Sequence, residues 1–145
     1  MKTYKQYLFE EFKIWFEIIW QLPQNILGSI VILFTAAFKT KDGRCWTTHN
    51  GGFGVSLGLY IIFGDMNGKY PPAEKSIKHE QGHQKQSLYL GWLYLLVIGL
   101  PSICGNIWDR LTHKGWSYER REMWYYNQPW EKWADKLGEV KRYEY

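Results

Sequence analysis

Five consecutive residues of this chain can do chemistry as a unit: His79-Glu80-Gln81-Gly82-His83, an H-E-x-x-H arrangement. On a helix, side chains four residues apart project from one face, a turn apart, so both imidazoles can reach a single ion. Glu80 stands beside that face, where its carboxylate can take a proton from a water that such an ion activates. The surroundings suit a helix, since Ala73 to Lys78 follow Pro71-Pro72 and no proline recurs before Pro101. A second segment, Glu131-Lys132-Trp133-Ala134-Asp135-Lys136-Leu137-Gly138, supplies what the pair lacks. A catalytic zinc takes three protein ligands and keeps a fourth position open, and Glu131 on a second helix can be the third. Asp135, one turn further on, can accept a hydrogen bond from the free ring nitrogen of a ligating histidine. Either pattern alone also describes an ordinary solvated helix face. Together, in this order, they point to a Zn2+ site formed by His79, His83 and Glu131, with Glu80 as the catalytic base and Asp135 behind the ligands.

The two-part pattern resembles that of the gluzincin metallopeptidases, in which H-E-x-x-H is completed by E-x-x-x-D. Its Ala134-Asp135 form most resembles the integral-membrane zinc proteases of the prenyl-protein and heat-shock-induced type. The H-E-x-G-H variant is also similar to that of small soluble proteases that cleave phage repressors. The resemblance covers the two metal helices only. It implies a zincin-like helix pair, a bound zinc, peptide-bond hydrolysis by a glutamate-activated water, and a peptide or protein substrate. Metzincins are disfavoured, because Gln86 and Tyr89 stand where that group has a glycine and a third histidine. His113 is the rival third ligand, but it reads as a solvent-facing loop histidine without a carboxylate partner. His49 reads as a turn residue.

At 145 residues the chain is expected to form a single domain, 1–145, mainly α with a short β element. Helices are expected over 74–98, carrying the histidines, and over 129–138, carrying the third ligand. The β element falls at 50–64, where a glycine-rich run of β-branched and aromatic residues is bounded by turn signals. Residues 53–63 are expected to offer a strand edge beside the site, to which an extended substrate can add. Gly54-Val55-Ser56-Leu57-Gly58 also matches the G-x-S-x-G nucleophile elbow, but β-type residues follow the serine where a helix is required. The aromatic and charged stretch from Trp116 to Trp130 is a source for a tyrosine or arginine that polarises a scissile carbonyl.

Aromatic residues make up 19% of the chain, with nine tryptophans and eleven tyrosines, more than a small core packs and suited to a membrane interface. The net charge of +4 comes from dispersed basic residues with no recognition module, so lipid and not nucleic acid is the expected partner. Cys45 and Cys104 lack metal-type spacing and are expected to be a buried, unbonded pair. Two runs carry no charge, Ile18 to Phe38 and Gln86 to Trp108, and each is long enough to cross a hydrocarbon core of about 30 Å. If both crossed completely, His79 and Glu131 would lie on opposite sides of the membrane. The expectation that keeps the metal is a transmembrane helix at 18–38 and a second run that breaks at Gly99-Leu100-Pro101-Ser102 and returns. The mean hydropathy of −0.42 keeps a soluble, cytoplasmic core as the alternative. A non-catalytic membrane or scaffold protein, with a structural metal or none, is the alternative function.

Overall fold

The computed structural model describes residues 3–40, 43–48, 52–64 and 73–142; His49, the first two residues of the 50–64 segment and Pro71-Pro72 lie outside them. Among the described residues the chain is mainly helical, with six α-helices and one small four-stranded sheet. Helix α1, Tyr4–Trp20, starts at a capping box in which the Thr3 backbone N–H donates to Gln6 Oε1 at 2.8 Å. Helix α2, Leu22–Thr35, leaves it at an angle of 79°, so the uncharged run from Ile18 to Phe38 is not one helix. Pro23, in the first turn of α2, has no N–H with which to continue α1.

Polar side chains around that bend hold the interior. Gln24 Nε2 donates to Ser87 Oγ at 2.8 Å and to the Gly91 carbonyl at 2.9 Å, and Ser87 Oγ donates to Gln21 Oε1 at 2.6 Å. Asn25 donates to the Ile18 carbonyl and accepts from the Leu59 backbone N–H. The residues that interrupt the apolar run are therefore the ones that pack, while Ile26, Leu27, Ile30, Leu33 and Phe34 are exposed.

Strands β1 (Phe38–Lys39), β2 (Trp46–Thr48), β3 (Phe53–Leu57) and β4 (Tyr60–Gly64) form a sheet in the order β1-β2-β4-β3. β3 and β4 are an antiparallel hairpin closed by Gly58-Leu59, where Gly58 takes φ +62°, a value that favours glycine in a two-residue turn. β2 runs parallel to β4, and β3 is an edge strand. Ile61 and Phe63 pack with Cys45 and with Ile77 of the next helix. Cys45 is buried as expected, whereas Cys104 is exposed, so the two are not a buried pair.

Helix α3, Glu74–Leu90, carries the H-E-x-x-H residues and ends eight residues before the expected Ile98. Gly91 stops it. This residue takes φ +53°, and a Cβ there would run into the Trp20 ring. The carbonyls freed at the helix end are captured by side chains, Leu88 by Trp20 Nε1 at 2.8 Å and Gly91 by Gln24. A 3-10 turn (Gly91–Leu93) and a π turn (Leu95–Gly99) lead into α4, Leu100–Thr112, which departs at 118°. α3 thus ends at Gly91 and the chain bends between there and Leu95, not at Gly99–Ser102. Pro101 follows the π turn directly in the first turn of α4, and the chain stays helical through it. No single helix among the described residues is long and apolar enough to cross a membrane, although the α1–α2 and α3–α4 pairs pass that test jointly as bent pairs.

Helices α5 (Tyr118–Tyr126) and α6 (Pro129–Gly138) complete the fold, and α6 lies across α3. Two glycines set how close they come. A Cβ on Gly82 would collide with the Ala134 carbonyl, and one on Gly138 with the Lys78 carbonyl. The small residues inside the two motifs are packing residues that bring the metal-type side chains together.

Candidate metal centre

His79 and His83 project from one face of α3 towards Glu131, in the first turn of α6. His79 Nε2 is 3.0 Å from Glu131 Oε2, His83 Nε2 is 3.2 Å from the same oxygen, and the two Nε2 atoms are 3.2 Å apart. All three residues are buried, Glu131 completely. Two imidazole nitrogens and one carboxylate oxygen thus form a near-equilateral triangle that could hold a metal ion. Donors placed about 2.0–2.1 Å from a tetrahedral ion lie roughly 3.3–3.4 Å apart, close to these edges.

The atoms behind the triangle fix its orientation. His79 Nδ1 is 2.7 Å from Asp135 Oδ1, which places Asp135 where the spacing of the second motif put it. His83 Nδ1 is 2.7 Å from Gln86 Oε1, and Gln86 Nε2 donates to the Trp130 carbonyl, which orients the amide. Asp135 is gripped in turn by Arg142, whose Nε and Nη2 donate to its two oxygens at 2.5 and 2.9 Å. The Arg142 guanidinium also lies over the Tyr126 ring, and that ring rests edge-on against His79.

Burial would lower the His79 pKa, but hydrogen bonds to Asp135 and Glu131, with Glu80 nearby, lift it to about 9. The same burial would raise Glu131, yet its two histidine partners hold it well below the usual carboxylate range. Burial likewise opposes ionisation of Asp135, and His79 and Arg142 overcome it. The cluster is a place where positive charge is strongly favoured.

Glu80 differs from its neighbours. Its side chain is buried against the cluster, and its Oε2 has no hydrogen-bond partner among the described residues. Burial pushes its pKa up, with His83 and His79 opposing. Strand β3 passes directly over it: a Cβ on Gly54 would come within 2.8 Å of Glu80 Oε1.

The rival residues lie elsewhere. His113 caps α4, with Nδ1 3.0 Å from Asp109 Oδ1, and stacks on Trp116 at 3.8 Å, so it does have a carboxylate partner one turn earlier. Ser56 of the G-x-S-x-G match is buried within β3 and is followed by a hairpin and a strand, so no nucleophile elbow forms. Gln86 was legible in principle as a polar residue three after a ligand. Arg142 carried no such signal, because its approach depends on how the chain returns, whereas Gly54 belongs to the 53–63 segment expected beside the site. No family model, curated protein or solved structure matches the chain.

Proposed function

We propose that the protein is a zinc-dependent metallopeptidase seated at a membrane. The observation that carries this reading is the pairing of a buried His79–His83–Glu131 triangle with an unpartnered Glu80 carboxylate oxygen beside it. Imidazole and carboxylate donors suit zinc, and three protein ligands leave the open position that separates a catalytic from a structural site. Zinc held there would act as a Lewis acid on a water and a peptide carbonyl. His79, His83 and Glu131 hold the ion, and Asp135 and Gln86 fix the two imidazoles through their Nδ1 atoms. Glu80 accepts a proton from the attacking water and delivers it to the leaving amine. β3 pairs on one side with β4, and its other edge, unpaired among the described residues, would take an extended peptide next to Glu80.

Support for the membrane seat is the inverted patterning of the helices. α2 buries Gln24, Asn25 and Gly28 while exposing isoleucines, leucines and phenylalanine. Leu96, Leu100, Ile103, Ile107 and Trp108 are likewise exposed on the far limb of the α3–α4 bend. An aqueous protein does not gain from that arrangement, whereas one facing hydrocarbon does. Helix α1 buries no side chain; Tyr4, Phe12 and Trp15 lie opposite the stripe Gln6, Glu10, Lys13 and Glu17, with Lys5 and Glu11 on the aromatic side, a mixed exposed surface that suits an interface.

The test is hydrolysis of unfolded casein by detergent-purified, zinc-loaded protein, wild type against Glu80→Gln. The substitution keeps the shape of the side chain and removes the base, so activity should fall by about 10²- to 10⁴-fold with zinc content unchanged. Full activity in Glu80→Gln would end the mechanism. An inactive wild type with stoichiometric metal would favour a structural site in a scaffold protein.

A further inference from the structure

The two oxygens of Glu131 are used differently. Oε2 faces both histidine Nε2 atoms, at 3.0 and 3.2 Å. Oε1 is turned the other way and lies 2.6 Å from Ser102 Oγ, which belongs to α4 and not to either metal helix. Ser102 Oγ is also 2.9 Å from the Tyr125 hydroxyl at the end of α5. A carboxylate between two imidazoles is ionised and can only accept, so the serine hydroxyl donates to Oε1. Its single proton is then committed, and the tyrosine donates to the serine oxygen. The order Tyr125 O–H to Ser102 O–H to Glu131 Oε1 is the arrangement that satisfies all three groups, and the last link has the length of a charge-assisted bond.

We infer that Ser102, held by Tyr125, is a positioning residue that restricts Glu131 to ligation through one oxygen and so keeps a coordination position open for water and substrate. This rests on reading the triangle as a metal site. A buried carboxylate oxygen that loses its donor must find another positive partner. Besides Tyr125, whose hydroxyl also lies within hydrogen-bonding reach of Glu131, the partner at hand would be the ion itself, and zinc tolerates a fifth ligand. Without the serine hydroxyl, Glu131 swings to two-oxygen ligation and fills the position that the reaction needs. A packing role for Ser102 predicts a looser site that binds metal less well. The positioning role predicts the reverse, a site that holds metal as well as before but is closed.

Cobalt(II) is the probe, because its visible absorption is intense with four ligands and weakens severalfold with five or six. Full-length protein in detergent is loaded with cobalt as wild type, Ser102→Ala, Ser102→Thr and Tyr125→Phe. Ser102→Ala should retain cobalt with affinity unchanged or tightened, and its visible band should drop severalfold. Ser102→Thr restores the hydroxyl and should restore the wild-type spectrum. Tyr125→Phe should shift the band in the same direction by less, and it decides the matter if Ser102→Ala does not fold. An unchanged band in Ser102→Ala, or in Tyr125→Phe where that variant decides, overturns the inference and leaves the metal reading intact. Weaker cobalt binding with an unchanged band assigns Ser102 a packing role. Failure of the wild type to bind cobalt at all overturns the metal reading, and the inference with it.

Discussion

Five side chains concentrate ionisable chemistry in a small buried volume, and the roles assigned to them separate by mutation. His79→Ala, His83→Ala and Glu131→Ala each remove a corner of the donor triangle and should abolish stoichiometric metal binding, read by elemental analysis of the purified protein. Asp135→Ala leaves the triangle whole and removes the acceptor of the His79 Nδ1 bond, so metal affinity should fall about 10- to 100-fold and no more. Competition against a chromophoric chelator measures that difference. A loss as complete as that of His79→Ala would make Asp135 part of the binding set instead. At this scale the sequence was informative where helical spacing governs: i,i+4 placed both histidines on one face, and the same spacing put Asp135 behind Glu131. The partners of Ser102 and Arg142 are not legible, because nothing in their local sequence records which carboxylate they meet. Their partners are assigned by the return of α4 over α6 and by the course of the chain after Gly138.

The crossing of α3 over α6 is the element-scale feature on which the site depends. Gly82 and Gly138 each face a backbone carbonyl of the opposite helix, and backbone cannot step aside as a side chain can. Gly82→Ala should therefore push the helices apart, costing stability at or above the roughly 1–3 kcal/mol typical of overpacking. Because the histidines and Glu131 lie on opposite sides of that crossing, metal affinity should fall with it. Thermal unfolding and metal titration of the same preparation check both effects, and an unperturbed variant would mean that the helices are not held this closely. The helices that carry the two motifs were legible, α6 with its bounds and α3 in its first seventeen residues. The bends were not. Gly99 and Pro101 read as the break, yet the chain stays helical through both, while Gly91 stops α3 through φ +53° and its contact with Trp20, a residue seventy-one positions away.

For the whole molecule, the polar residues that blemish the apolar run after Ile18 explain how a chain with this composition folds. Gln21, Gln24 and Asn25 are spent inside, on α3 and the β3–β4 turn, and the apolar side chains are left outside. Alkaline carbonate washing of membranes should leave the protein in the pellet and detergent should release it. Recovery wholly in the supernatant without detergent would remove the membrane from the account. The bent α3–α4 pair also lets both apolar runs coexist with the His79–His83–Glu131 cluster, since the chain turns back through 118° before α4 and places Ser102 against Glu131. The central claim is that His79, His83 and Glu131 hold one zinc ion. Its most direct test is the zinc content of detergent-purified protein prepared without chelators, wild type beside Glu131→Ala. The account predicts about one zinc per chain in the wild type, as a single three-ligand site requires, and almost none in the variant. Zinc-free wild type, or equal zinc in the two proteins, would contradict it.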